Sequence, residues 1–150
     1  MEPITVTRHS AAPVERVWEL ATDLAGMPDR LSAVIATEVT TPPPFGVGTR
    51  WKETRRIMKR DASEEMWVTA VEPQQSYVVE AESNGAHYTS TFTFASTADG
   101  GTDVTMSFGA EPVGTMSKFF SPVAFKLMRK SVATQLANDL DDLTRAAEQG

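Results

Sequence analysis

Residues 76–111 read SYVVEAESNGAHYTSTFTFASTADGGTDVTMSFGAE, and their pattern is the clearest indication of fold in the chain. Apolar and polar residues alternate along most of it, which is typical of strands with one buried face. Asn84-Gly85 and Asp99–Gly101 interrupt the alternation with residues that favour tight turns. Strands joined by tight turns must run antiparallel. The stretch therefore predicts a meander of consecutive strands and not a parallel nucleotide-binding sheet.

Further strands and several helices surround this meander. Segments rich in Val, Thr, Phe, Tyr and Trp predict strands at residues 3–9, 33–41, 48–59, 63–72, 76–84, 87–97 and 102–111. Apolar residues at helical spacing predict short helices over residues 13–22 and roughly 27–31, and a long helix of roughly 27 residues that begins at Pro122. The expected fold class is α+β. It is a curved antiparallel seven-stranded sheet around a long C-terminal helix, with two short helices after the first strand.

Composition excludes several classes of protein. The chain has 150 residues, which predicts one domain over residues 1–150. It carries 14 Lys and Arg against 20 Asp and Glu, and the net charge of −6 argues against a nucleic-acid partner. It has no cysteine, so disulfides, thiolate metal sites and cysteine nucleophiles are excluded. There is neither a membrane-length apolar run nor a signal-peptide pattern, which predicts a cytoplasmic location and no transmembrane segment.

The order of elements predicts a space between the sheet and the long helix. A helix that crosses a curved sheet contacts it along a line, so the remaining space is either filled by large side chains or is a cavity suited to a small molecule. Both faces of strand 63–72 are acceptable, and we assign the Met66 face inward. The predicted cavity residues are Trp51, Glu53, Arg55, Met66, Val68, Tyr88, Ser90, Phe92, Phe94, Val104, Met106 and Phe108 from the strands, with Phe120, Leu127 and Met128 from the helical region.

Two charged residues share one face of strand 48–59. Glu53 and Arg55 are two positions apart, so they lie on the same side of the strand. If this side faces inward, the two should pair, because an unpaired buried charge costs several kcal/mol. Beside Tyr88 and Ser90 they would form the polar end of an apolar pocket. The alternative, left open by the sequence, places both charges at a solvent-exposed rim.

Residues suited to metal or nucleophilic chemistry are few. The two histidines, His9 and His87, have neither a helical partner four residues away nor a carboxylate at metal-ligand spacing. The chain contains no nucleophile elbow and no glycine-rich phosphate loop. Asp139, Asp141 and Asp142 are interpreted as solvent-facing residues of the last helix. We therefore predict no cofactor and no metal site.

Several segments, taken together in their order and spacing, resemble the START-like superfamily, which is also called Bet v 1-like or SRPBCC. They are Ile4–Val6 with Ala12–Asp23, Gly46–Arg50, Val71–Pro73, Gly100–Val104 and Leu140–Glu148. The resemblance covers nearly the whole chain and points to the polyketide cyclase/dehydrase-like subgroup. It implies the helix-grip fold. Because these segments are turns, caps and packing positions, they transfer no catalytic residue to this sequence.

The leading functional hypothesis is a protein that binds or transports a small hydrophobic or amphipathic molecule, such as a lipid, quinone, isoprenoid or polyketide. A resemblance to the aromatase/cyclases of the superfamily implies an alternative. In that enzyme Arg55 stabilises an enolate oxygen, Tyr88 donates a proton and Glu53 orients Arg55. Other relatives imply a third hypothesis, a co-chaperone-like interaction module. The sequence leaves open whether the chain forms a homodimer.

Overall fold

The structure is a computed structural model that describes residues 2–57, 59–83, 85–112 and 122–149. Its strands are β1 (Ile4–Ser10), β2 (Val34–Val39), β3 (Arg50–Ile57), β4 (Arg60–Glu72), β5 (Ser76–Ser83), β6 (Ala86–Ser96) and β7 (Thr102–Pro112). Its helices are α1 (Val14–Thr22), α2 (Met27–Arg30) and α3 (Pro122–Glu148), with a 3₁₀ turn at Leu24–Gly26. The predicted fold class and order of elements are confirmed.

The strands form one antiparallel sheet in the order β1-β7-β6-β5-β4-β3-β2. Strands β2 to β7 pair with their neighbours in the chain, as in a meander. Strand β1 pairs instead with β7, where Ile4 lies opposite Phe108 and Ser10 opposite Thr102. The first two strands are therefore the two edges of the sheet. The segment that joins them, with α1 and α2, crosses the inner face and covers part of it.

The long helix α3 lies against β1, β7, α1 and α2. Its most buried apolar side chains recur every three or four residues and form one stripe. These side chains, Leu136, Leu140, Leu143 and Ala147, join the core around Val17 and Val104. Within the described residues, neither this helix nor any other is both long and apolar enough to cross a membrane.

A buried polar corner fixes the position of α3 on the sheet. Ser10 and Thr102, paired at the end of β1 and the start of β7, have no exposed surface. The Ser10 hydroxyl donates to the Thr144 carbonyl of α3 at 3.1 Å, and the Thr102 hydroxyl donates to the Ala12 carbonyl at 2.9 Å. Because each of these two buried hydroxyls has an acceptor, the corner joins β1 to α3 and β7 to the loop before α1 without leaving either hydroxyl unsatisfied.

An irregularity in β4 explains why side chains from both faces of this strand are suited to point inward. Its pairing with β5 shifts between Val68 and Ala70, so one extra residue lies in β4 at this point. Before the shift, Met66 faces the interior and Val68 is 1% exposed, whereas after it Val71 packs against the core. Each of the two alternating sets therefore faces inward over part of the strand. The structure places both Met66 and Val68 on the inner face.

Candidate ligand-binding cavity

A cavity of about 330 Å³ lies between the inner face of the sheet and the helices. Protein interiors are normally packed as densely as organic crystals, with few voids larger than a water molecule. A space of this size is therefore a distinct feature of the fold. Its apolar wall includes Ile4, Leu24, Trp51, Met66, Val79, Phe92, Met106, Phe108, Met128, Val132 and Leu136.

Most of the predicted cavity residues lie on this wall. They are Trp51, Glu53, Arg55, Met66, Tyr88, Ser90, Phe92, Met106, Phe108 and Met128. Three others, Val68, Phe94 and Val104, face inward but are buried in the closed core, with at most 5% of each residue exposed. The physical reason is that α1 and the C-terminal half of α3 pack directly on this end of the sheet. Trp18 of α1, for example, contacts Phe94 with ring centroids 5.2 Å apart.

Two of the three cavity residues predicted from the helical region, Leu127 and Phe120, are not on the described cavity wall. Leu127 is 66% exposed, so its placement in the cavity is corrected. It lies nine residues before the buried Leu136, which at 3.6 residues per turn is about 180° around the helix axis. Phe120 lies outside the described residues.

Glu53, Arg55 and Asp139 form a buried charged triad on the cavity wall. The Arg55 Nε donates to Glu53 Oε2 at 2.7 Å, and its two Nη atoms donate to the two oxygens of Asp139 at 3.3 and 2.7 Å. Glu53 is 4% exposed and Asp139 is 8% exposed. The indole Nε1 of Trp51 donates to the other oxygen of Glu53 at 3.3 Å. The predicted Glu53–Arg55 pair therefore faces inward and not the solvent rim.

Burial and neighbouring charges shift the pKa values of Arg55 and Asp139 in opposite directions. Burial by itself lowers the pKa of the Arg55 guanidinium, but the negative charges of Asp139 and Glu53 outweigh it, so the pKa lies above its ordinary value. Burial raises the pKa of Asp139, and the Arg55 charge opposes that shift. Both oxygens of Asp139 accept hydrogen bonds from Arg55, and this two-point pair favours the ionised carboxylate against the effect of burial.

The burial of Asp139 corrects its interpretation as a solvent-facing residue. It follows Leu136 by three residues and precedes Leu143 by four, so it lies on the buried stripe of α3. The spacing of Asp139 from Leu136 and Leu143 is the sequence feature that indicates its burial. An inward-facing Arg55 has five N–H donors, which one carboxylate cannot saturate. Sequence reasoning missed Asp139 because charged residues are rarely buried without a partner, and its partner is 84 positions away.

The other two aspartates of this group lie nearer the surface and hold α3 in place. Asp141 accepts a hydrogen bond from Arg8 of β1 at 2.9 Å. Asp142 accepts from both the backbone N–H and the hydroxyl of Ser32 at 2.9 Å. Both are half-buried, so the solvent-facing interpretation is too simple for them as well.

Tyr77 is a cavity residue that sequence reasoning did not single out. It is 5% exposed and stacks on Phe92 with ring centroids 4.6 Å apart. Its ring also meets Trp18 and Phe45 edge to face, at 5.7 and 5.2 Å. The alternation of Tyr77, Val79 and Ala81 along β5 carried the signal for its inward orientation. Burial, and then the negative charge of Glu53, raise the pKa of the Tyr77 hydroxyl, which stays protonated and able to donate.

A second phenol, Tyr88, stands elsewhere on the wall. Its ring stacks on Phe108 with centroids 5.5 Å apart. Burial, and then the charge of Glu64, raise the pKa of its hydroxyl. Because both phenols stay protonated at neutral pH, they add neutral hydroxyl donors to a wall that also carries the charged triad.

The two histidines belong to surface networks. His9 lies between Asp103 and Asp99, with nitrogen–oxygen distances of 2.9 and 3.0 Å, and the hydrogen bond to Asp103 is the main cause of its raised pKa. His87 lies between Glu80 and Glu82, at 2.7 and 3.1 Å, and the hydrogen bond to Glu80 is the main cause of its raised pKa. Neither ring is part of the described cavity wall. Among the residues that the structure describes, no three His, Asp or Glu side chains are grouped so as to hold a metal ion.

Residues 1–148 match the family model described as polyketide cyclase / dehydrase and lipid transport. The chain belongs to this family. The resemblance to the START-like superfamily is thereby confirmed. No curated protein matches the chain.

Solved structures share the fold at low sequence identity. A protein of Thermus thermophilus superposes with a TM-score of 0.80 at 22% identity, covering 97% of this chain and 96% of that chain. A START superfamily protein from Mycobacterium smegmatis gives 0.82 at 12% identity, with 99% of each chain covered. The Zhui aromatase/cyclase from Streptomyces sp. R1128 gives 0.76 at 16% identity, covering 98% of this chain and 93% of that chain. At such identities the likeness shows the helix-grip fold alone.

Proposed function

We propose that this family member binds a small hydrophobic or amphipathic molecule in the cavity between the sheet and α3. The observation that carries the proposal is a largely apolar space of about 330 Å³ with the buried charged triad of Glu53, Arg55 and Asp139 on its wall. Ligand sites are typically concave and mostly apolar, with a few placed polar groups that orient the ligand. The family description, which names lipid transport and cyclase chemistry, supports the same class of guest.

The size of the cavity limits the guest. A volume of about 330 Å³ lies at the lower end of the roughly 300–1,000 Å³ that is typical of small-molecule pockets. A compound with one or two rings, or a short chain, fits this space, whereas the two chains of a membrane phospholipid exceed it. Among the classes named above, small aromatic or isoprenoid compounds are therefore favoured over diacyl lipids.

A pair of substitutions on adjacent residues of β6 tests the proposal. Ser90 lines the cavity, and Thr91 points to the opposite face of the sheet. We expect the native protein to bind the neutral probe N-phenyl-1-naphthylamine saturably, with a rise in probe fluorescence. Ser90→Phe fills part of the space and should weaken binding at least tenfold, whereas Thr91→Phe should bind as the native protein does. The absence of saturable binding to the native protein, or equal binding by both folded variants, would contradict the proposal.

A second candidate function is a cyclase-like enzyme, and the placement of Arg55 on the cavity wall favours it. Two of the five N–H groups of this guanidinium are not used by Glu53 or Asp139, so they can stabilise an enolate oxygen of a bound poly-β-ketone. Arg55→Lys keeps the positive charge and removes the planar donor set. If the protein cyclises such a substrate, this variant should lose at least a hundredfold in turnover while it still binds the neutral probe. Unchanged turnover would remove this candidate.

A further inference from the structure

The hydroxyl of Tyr77 is a donor for which the described residues supply no hydrogen-bond partner. The residue is 5% exposed and contributes to the cavity wall. Burial, and then the charge of Glu53, raise the pKa of this hydroxyl, so it stays protonated and able to donate. Buried polar groups in native proteins are nearly always hydrogen-bonded, to protein, to water or to a ligand. A hydrogen-bond acceptor on a bound guest would therefore satisfy this donor.

Glu53 supplies the complementary acceptor on the same wall. Each of its two carboxylate oxygens accepts one hydrogen bond, from Trp51 and from Arg55. A carboxylate oxygen can accept two, so both retain acceptor capacity. The cavity thus combines a donor at Tyr77 with an acceptor at Glu53. A hydroxyl group is the simplest chemical group that accepts from one and donates to the other.

The charges around this position disfavour an anionic guest. The triad contains two carboxylates and one guanidinium, so it carries one excess negative charge, and Glu64 adds another to the cavity wall. Among the residues that the structure describes, two further cations, Arg30 and Arg129, line the cavity. Arg30 is paired with Asp23 at 2.9 Å.

The other cation is remote from the triad. Arg129 precedes Asp139 by ten residues, which is about 15 Å along the helix, and it donates to the Glu2 carbonyl at 2.6 Å. A carboxylate placed at the triad would therefore meet net negative charge, in an environment that screens it poorly.

We infer that the cavity selects an uncharged, hydroxylated guest, a phenol or an alcohol, over a carboxylate of the same size. The inference rests on the proposed function and adds the chemical class of the ligand. Tyr77 donates a hydrogen bond to the hydroxyl oxygen of the guest, and the Glu53 carboxylate accepts a hydrogen bond from that same hydroxyl. The apolar wall encloses the rest of the molecule. Fatty acids and other carboxylates are disfavoured on this account, although their chains suit the apolar wall.

Three probes of matched shape test this selectivity by isothermal titration calorimetry at pH 7: naphthalene, 2-naphthol and 2-naphthoate. We expect 2-naphthol to bind about fivefold more tightly than naphthalene, as a net gain of one neutral hydrogen bond gives. We expect 2-naphthoate to bind at least tenfold more weakly than 2-naphthol. Tyr77→Phe keeps the stacked ring and removes the donor, so the preference for 2-naphthol over naphthalene should disappear. The control Thr91→Val removes a hydroxyl from the outer face and should leave the preference intact.

A second variant addresses the charge independently of Tyr77. Glu53→Gln removes the excess negative charge of the triad, so the disadvantage of 2-naphthoate should shrink at least fivefold. Equal binding of naphthalene and 2-naphthol, or an unchanged ratio of 2-naphthoate to 2-naphthol in Glu53→Gln, would overturn the inference while the proposed function stands. If none of the three probes binds the native protein, the proposed function itself fails, and the inference fails with it.

Discussion

At the scale of single residues, Arg55 is the cation that makes two buried carboxylates tolerable. It bridges Glu53 on its own strand and Asp139 on α3, and its side chain is 19% exposed. Removing one partner of a buried ion pair leaves the other charge uncompensated, which is more damaging than the pair itself is stabilising. Here the loss of Arg55 would leave two such charges close together.

Replacement of Arg55 by leucine should therefore destabilise the fold strongly. We expect Arg55→Leu to lower the free energy of unfolding by about 3–5 kcal/mol, measured by urea denaturation at pH 7. The adjacent Arg56 provides the control, because it pairs with Asp61 at the surface, where the two side chains are 63% and 52% exposed. Arg56→Leu should change stability by less than about 1 kcal/mol. Equal effects of the two substitutions would show that the buried triad is not a stabilising unit.

The triad also shows what local sequence spacing can and cannot predict. The two-residue separation of Glu53 and Arg55 places them on one face of a strand and predicts their pairing. The contribution of Asp139 depends on how α3 crosses the sheet, and no local pattern specifies that angle. Tyr77 illustrates the same limit. Its inward direction follows from alternation, but whether it meets core or cavity depends on where α1 and α3 pack.

At the scale of elements, the corner where β1 ends and β7 begins determines how the helices cover the sheet. Gly101 stands at this corner beside Ser10 and His9, immediately before the buried Thr102. A Cβ atom at this position would overlap the backbone carbonyl oxygen of Ser10 and would lie 2.9 Å from the His9 ring. The absence of a side chain thus allows the two strands to approach closely.

Gly101→Ala should consequently separate the two strands and weaken the corner. We expect a loss of roughly 1–3 kcal/mol in the free energy of unfolding, as is usual for overpacking at a buried site. Gly46→Ala is the matched control, because a Cβ atom there would meet nothing within 4 Å. That variant should stay within about 0.5 kcal/mol of the native protein. A neutral Gly101→Ala in thermal and urea denaturation would contradict the proposed close approach.

The elements also explain which parts of the fold were predictable. Alternation in β6 and β7 predicted the face of Tyr88, Phe92 and Met106, because one buried face gives a strand an unambiguous pattern. In β4 the pattern is ambiguous because the extra residue near Val68 reverses the orientation part-way along the strand. Alternation cannot separate Phe94, in the core, from Phe92, on the cavity wall. The two differ only in what α1 and α3 place opposite them.

At the scale of the whole molecule, pairs of charged side chains at the surface make stability depend on pH. His9 and His87 each lie between two carboxylates, and their pKa values are raised above 6.5. A group with a raised folded-state pKa stabilises the fold fully below its unfolded pKa, and this contribution is lost as the pH rises through the folded pKa. The pKa of Asp99 is shifted so that its contribution to stability depends on pH in the opposite direction. Hydrogen bonds from Thr97 and Gly101 lower its pKa to about 2, so its contribution is retained above 3.8 and lost as the pH falls toward 2.

Because the pH dependences are opposite, His9, His87 and Asp99 together stabilise the fold most between about pH 4 and pH 6.5. We expect the melting temperature of the native protein to exceed that of a His9→Gln/His87→Gln double variant by more at pH 6 than at pH 8.5. Calorimetric scans in matched ionic strength measure this difference. A gap that is constant or widens with rising pH would contradict the assigned direction of the histidine pKa shifts.

The bond between Arg55 and Asp139 links the two walls of the cavity, since one residue belongs to β3 and the other to α3. A guest that bridges both walls should hold α3 against the sheet and slow amide hydrogen exchange along the helix. A guest that draws Arg55 away from Asp139 should speed that exchange. If the cavity takes a guest as proposed, binding of that guest is thermodynamically coupled to the packing of α3 on the sheet, and each guest would leave its own exchange signature in this helix.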